Sequence, residues 1–159
     1  LFSMTMSGSV LCNNILTRAF QENIPVSPMK LQKLMYFVSC EYVKATGKDL
    51  LSENFGVWQY GPVLPSLYDE FKSFHDQPIT KYATDADGVP YAINEDTAPH
   101  LKASITRVWN AFKGMDGIAL SKITHRDGSA WSTAFDQRRT SISSDDMKGD
   151  MTYASYLLT

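Results

Sequence analysis

The side chains able to trade a proton, attack a substrate or hold a metal are few and badly spaced for any of those tasks. The chain has three histidines and two cysteines. A zinc site needs His, Cys or carboxylate ligands at short, regular intervals. His75, His100 and His125 stand far apart, with no His-x-x-x-His or Glu-x-x-His pair, and Cys12 and Cys40 are distant from each other. No metal and no cofactor is therefore expected. Serines are plentiful, but no Gly-x-Ser-x-Gly elbow is present to expose one as a nucleophile. Gly114 and Gly117 do not lead into the Gly-Lys-Ser/Thr of a phosphate loop. Asp69 and Glu70 are neighbours on a helical stretch and so point different ways, a poor acid–base pair. Cys40 sits in an apolar helical run, where cysteine behaves as a small hydrophobe. The chain reads as non-enzymatic.

What remains is recognition chemistry. Trp58, Tyr60, Tyr68, Trp109 and Trp131 are either core or anchors for a partner. Trp109 and Tyr68 are assigned to the core. Trp58 and Tyr60 arrive just before Gly61-Pro62, an irregular break, and both readings stay open for them. Lys30 and Lys33, with Glu41 and Lys44, are placed on the one wet side of a helix. Arg126, Arg138 and Arg139 form a sparse basic group that could mark a partner-facing patch.

Helical periodicity must position these residues. Leu11, Ile15, Leu16, Ala19 and Phe20 predict a first helix over about 9–22, with Asn13, Thr17, Arg18 and Gln21 on its other face. Ser27 as N-cap, Pro28 at the first helical position and Gly47 as C-cap bound a second helix. Leu31, Leu34, Met35, Val38 and Tyr42 form its stripe, which Tyr36, Phe37 and Val43 widen, so this helix is expected to be the most buried. Phe55–Trp58 reads as extended. Gly61 precedes proline and must be extended or in a glycine-only conformation. Leu64–Phe74 and Leu101–Phe112 predict further helices. Ser121 is expected to cap a short helix reaching Arg126. Ala130–Phe135 follows, and a last helix starts at Ser143–Asp146 and runs toward Tyr153 and Tyr156. Within the irregular 76–99 stretch, Ile79–Ala83 and Tyr91–Ile93 are paired as a small hairpin across Asp87-Gly88. The fold class is mainly α, a single compact helical domain over 9–159 with a small extended or β-hairpin element. Residues 1–8 are expected to be a disordered start or a remnant of cloning.

At 159 residues, one core without metal or disulfide staples is sufficient. A net charge of -2 and a pI ≈ 5.9 leave no electrostatic footprint for general nucleic-acid binding. No apolar run reaches membrane-spanning length, and the two unpaired cysteines suit a reducing cytoplasm.

Several segments resemble the Panacea domain family, the SocA-like or phage-associated GepA-type proteins. One is Ser27-Pro28-Met29-Lys30-Leu31-Gln32-Lys33-Leu34-Met35-Tyr36-Phe37, followed by Thr46-Gly47-Lys48-Asp49-Leu50. Another is Trp58-Gln59-Tyr60-Gly61-Pro62-Val63 leading to Pro65-Ser66-Leu67-Tyr68-Asp69-Glu70-Phe71. The last is Leu120-Ser121-Lys122-Ile123-Thr124-His125 with Trp131 six residues on. The similarity covers roughly 10–135. It implies a mostly helical domain acting as the antitoxin of a toxin–antitoxin pair, or as an adaptor that hands a toxin to a Clp protease. The partner is then a cognate toxin protein. The residues expected to meet it are Lys30, Lys33, Trp58, Tyr60, Gly61, Pro62, His125 and Trp131. A nucleic-acid-binding regulator of a mobile-element operon is the alternative, and a small hydrolase using His125 a third reading.

Overall fold

A computed structural model describes residues 5–158. Helix α1 (Gly8–Glu22) starts where the Ser7 hydroxyl accepts from Val10 N–H, and it ends on Asn23 in the left-handed region. Met6 N–H donates to Leu50 O at 3.0 Å, and Ser52 N–H to Met6 O at 2.9 Å. Hydrogen-bonded backbone thus begins before residue 9; residues 1–4 of the expected disordered start lie outside the described residues. Helix α2 (Pro28–Thr46) has the expected Ser27 cap, Pro28 start and left-handed Gly47. A two-stranded antiparallel hairpin follows, β1 (Gly56–Trp58) and β2 (Gly61–Val63). Then come α3 (Pro65–Phe71), α4 (Pro99–Phe112), α5 (Gly117–Thr124), α6 (Ala130–Asp136) and α7 (Ser144–Gly149).

The broad apolar surface of α2 puts it at the centre. Every residue from Lys30 to Glu41 is buried. α1, α4, α5 and α7 pack around it, together with β2. Phe37 stacks on Phe112 at 4.7 Å and lies 4.8 Å from Tyr153, while Tyr36 meets Phe55 edge-on. Cys12 and Cys40 are buried here as apolar fillers, and burial pushes both thiols well above the usual range.

The expected wet side of α2 is absent. Lys30, Lys33 and Glu41 are buried, because neighbouring elements cover their stems and offer partners to their heads. Lys30 Nζ donates to Lys113 O at 2.5 Å. Glu41 accepts from Tyr153 Oη at 2.6 Å and from Arg107 at 2.9 Å. A buried polar group is tolerated where it is hydrogen-bonded, and hydrophobic periodicity carries no sign of such pairing.

The same reason removes the hairpin expected between 79–83 and 91–93. The turn forms, with Gly88 N–H donating to Asp85 O. The flanking backbone, however, bonds to two asparagines of α1 instead of to itself. Asn13 holds the Ala83 N–H and the carbonyls of Ala83 and Tyr91, and Asn14 holds both backbone groups of Ile93. Asn13 and Asn14 are therefore buried, not on a solvated face. Two other boundaries move. Asp116, not Ser121, caps α5, and Ser121 lies inside that helix. The last helix stops at Gly149 and resumes only as a 3-10 turn at Ala154–Leu158.

Candidate functional site

The Trp58–Pro62 segment carries the hairpin turn, and side chains from three helices fasten its backbone. Trp131 of α6 donates its indole N–H to Trp58 O at 2.9 Å. His125, at the end of α5, faces Gln59 O with Nε2 at 2.9 Å and its own Ser121 O with Nδ1 at 2.6 Å. Ser121 Oγ donates to Tyr60 O at 2.6 Å, and Lys33 Nζ to Pro62 O at 3.1 Å. Gln32 pairs with Leu64 as a strand would, donating to its carbonyl at 3.0 Å and accepting its N–H at 2.8 Å. On the far side, Val57 N–H donates to Thr140 O. A two-stranded hairpin is marginal alone; here Trp131, Ser121, Lys33 and Gln32 donate to the carbonyls of Trp58, Tyr60, Pro62 and Leu64.

Gly61 permits this close approach. It has φ +111°, a conformation that side-chain-bearing residues rarely adopt. A Cβ there would lie 2.6 Å from Thr124 Oγ1 and 2.9 Å from Lys33 Cε. Gly61 and Pro62 are buried, so they shape the turn without presenting a surface.

The side chains of the turn point outward. Tyr60 is 59% exposed and Trp58 38%, the latter edge-on to Tyr68 at 5.1 Å. With Pro28, Met29 and Val63 they line an open groove of about 400 Å³. Its polar lining is Gln32, Gln59, Lys33 and His75. His75 has φ 55° and ψ -118°, an uncommon backbone for a residue with a Cβ. Burial, with no countercharge, lowers the Lys33 ammonium from 10.5 to about 7. The groove's lining contains no carboxylate.

The comparisons bear on this geometry. The family described as "Antitoxin SocA-like, Panacea domain" matches residues 31–132. This chain belongs to that family. It is similar to the "Antitoxin SocA" of Caulobacter vibrioides (strain NA1000 / CB15N), with 26% identity over 130 residues, 80% of this chain and 69% of that protein. No solved structure matches it significantly. The segments that carry the Panacea resemblance, distant in the chain, meet at the hairpin: Gln32 and Lys33 from α2, Ser121 and His125 from α5, Trp131 from α6. Their common act is to hold backbone carbonyls, with Gln32 also binding an amide.

The expected partner residues divide accordingly. Lys33, Trp58, Tyr60, Gly61, Pro62, His125 and Trp131 come together, but only Trp58 and Tyr60 are exposed among them. Lys33 is 1% exposed and supports the turn from beneath. Lys30 is not part of the assembly; it borders a different cavity, beside Lys113 and Asp116. Tyr68, assigned to the core, is 46% exposed and lines the groove, while Trp109 is buried as expected. Of the sparse arginine group, Arg126 donates to Thr152 O and Tyr156 Oη, Arg139 pairs with Asp146 at 2.5 Å, and Arg138 is exposed. Sequence reasoning did not assign Gln32, Ser121, Met29 or His75 to the partner site. The first three lie inside the recognised blocks, which is the signal that could have found them; His75 left none. Among the described residues no cluster of His, Cys, Asp and Glu has a metal-binding arrangement, and no helix is long and apolar enough to cross a membrane.

Proposed function

We propose that this chain is an antitoxin, a non-enzymatic binding module that neutralises a toxin protein by contact through the braced hairpin. The observation that carries the reading is the pairing of exposed Trp58 and Tyr60 with a backbone held by Trp131, His125, Ser121 and Lys33. Aromatic side chains on a fixed backbone lose little freedom on docking and bury much area, the qualities of interface anchors. Similarity to an antitoxin supplies the kind of partner. The bound toxin is then occluded, or carried to a Clp-type protease.

The test is co-expression with the product of the neighbouring reading frame, scored by growth and by co-purification. Tyr60→Ala is expected to keep the melting temperature and to lose both rescue and co-purification. A folded Tyr60→Ala protein that still rescues growth and retains the partner would place the contact surface elsewhere. Rescue that persists only while a Clp protease is present would select delivery over occlusion.

A further inference from the structure

The groove beside the hairpin has a chemical bias of its own. Its walls are aromatic and aliphatic, from Met29, Trp58, Tyr60, Val63 and Tyr68. The charged or titratable side chains of its lining, tyrosines aside, are Lys33 and His75, both basic types. Lys33 has three N–H donors and, among the described residues, one hydrogen-bond acceptor, Pro62 O. Burial is what lowers its hold on the proton. A cation desolvated in this way makes the overlying groove favourable for an anion and hostile to another cation. Aromatic walls that elsewhere suit quaternary ammonium groups are thereby turned against them. A phosphate is a poorer fit than a carboxylate. Phosphate sites gather several N–H donors or an arginine fork, whereas this lining has one lysine and no arginine.

We infer that the groove receives an acidic polypeptide segment, seating one apolar or aromatic side chain against Trp58, Tyr60 and Tyr68 with an adjacent carboxylate over Lys33. This rests on the partner-binding reading above and specifies the partner's chemistry. Binding occurs at the wall, and the carboxylate acts through the field of the buried ammonium.

The experiment titrates the intact chain, without any toxin, at pH 6.5 and low salt. The probes are N-acetyltryptophan, its neutral amide N-acetyltryptophanamide, and AMP, each followed by NMR at the Trp58 indole N–H and the Tyr60 and Tyr68 rings. N-acetyltryptophan is expected to bind roughly tenfold more tightly than the amide, about 1.4 kcal/mol, less than a direct opposite-charge contact near a protein surface because the carboxylate does not touch the ammonium. The preference should narrow at high salt and disappear in Lys33→Met. Equal affinity of acid and amide for the wild-type protein overturns the inference, whether or not Lys33→Met folds. So do shifts that map away from the three aromatics, and so does AMP binding more tightly than N-acetyltryptophan. Because no toxin is present, a failed titration leaves the antitoxin reading intact. Failure of the wild-type protein to rescue cells, with the charge preference observed, removes the antitoxin reading alone.

Discussion

Lys33 is the residue at which local chemistry is most unusual. Its ammonium is buried against a carbonyl with no carboxylate to balance it. An unfolded lysine keeps its proton up to about 10.5, whereas in the fold burial brings that point down to about 7. Between those values the unfolded chain binds a proton that the folded chain lacks, so unfolding free energy rises with pH. The slope approaches about 1.4 kcal/mol per pH unit. Below pH 7 both states are charged and the cost of burial is present in full; above 10.5 it is gone. Urea unfolding of wild type and Lys33→Met at pH 7.5, 8.5 and 9.5 should therefore show the wild type gaining on the variant at each step, by about 1 kcal/mol. Parallel pH profiles would mean that Lys33 keeps its charge in the fold.

The hairpin is the element on which the candidate site depends, and it owes its shape to what surrounds it. Its strands are three residues each, too short to be stable by pairing alone. Its stability comes from the donors that reach in from α2, α5 and α6. At Gly61 the turn lies against side chains of both α2 and α5, Lys33 and Thr124. Gly61→Ala should lose about 2–4 kcal/mol, from the positive φ together with the clash at Thr124 and Lys33. Thermal unfolding checks this: a variant melting within a degree of wild type would show that the turn can move away from α5. Tyr60→Ala, one residue away but pointing into solvent, is expected to leave stability unchanged. The contrast between adjacent positions separates the turn's structural part from its exposed part.

At the scale of the whole molecule, one buried carboxylate joins elements that hydrophobic packing alone would leave loosely related. Asp150 follows α7 and accepts from Tyr36 Oη of α2 at 2.5 Å, from Ala130 N–H at the start of α6 at 3.1 Å, and from Thr152. Lys44 donates to its carbonyl, and the chain then turns to place Tyr153 against Phe37 and Glu41. The tail is thereby fixed to the central helix, and α6, which carries Trp131, is fixed with it. Asp150→Ala should cost about 2–4 kcal/mol, since several buried donors lose their acceptor at once. The expected signature is a lower urea midpoint with an unchanged slope. A loss under half a kcal/mol would mean that the tail is held by Tyr153 packing alone.

Much of this was legible in the linear chain. Periodicity and caps located α1 and α2 to within a residue or two, because a broad apolar stripe, Ser27-Pro28 and Gly47 are local signals with local causes. The Panacea blocks contain residues that converge at the hairpin, and Gly61 before Pro62 foretold a special backbone. The position of polar side chains was not legible. Asn13, Lys33 and Glu41 each look solvent-facing by type, yet each is buried because a partner remote in sequence completes it: Ala83, Pro62 and Tyr153 respectively. The misplaced hairpin in 79–93 has the same origin, since backbone that would have paired with itself found asparagine side chains first. The sequence by itself determined where the helices are and which of them is central, as those follow from the spacing of apolar residues along one segment. Only the tertiary structure decided that Lys33, Ser121, His125 and Trp131 converge beneath Trp58 and Tyr60. Hydrogen bonds between distant segments depend on where helices cross, and no pattern within one segment records that.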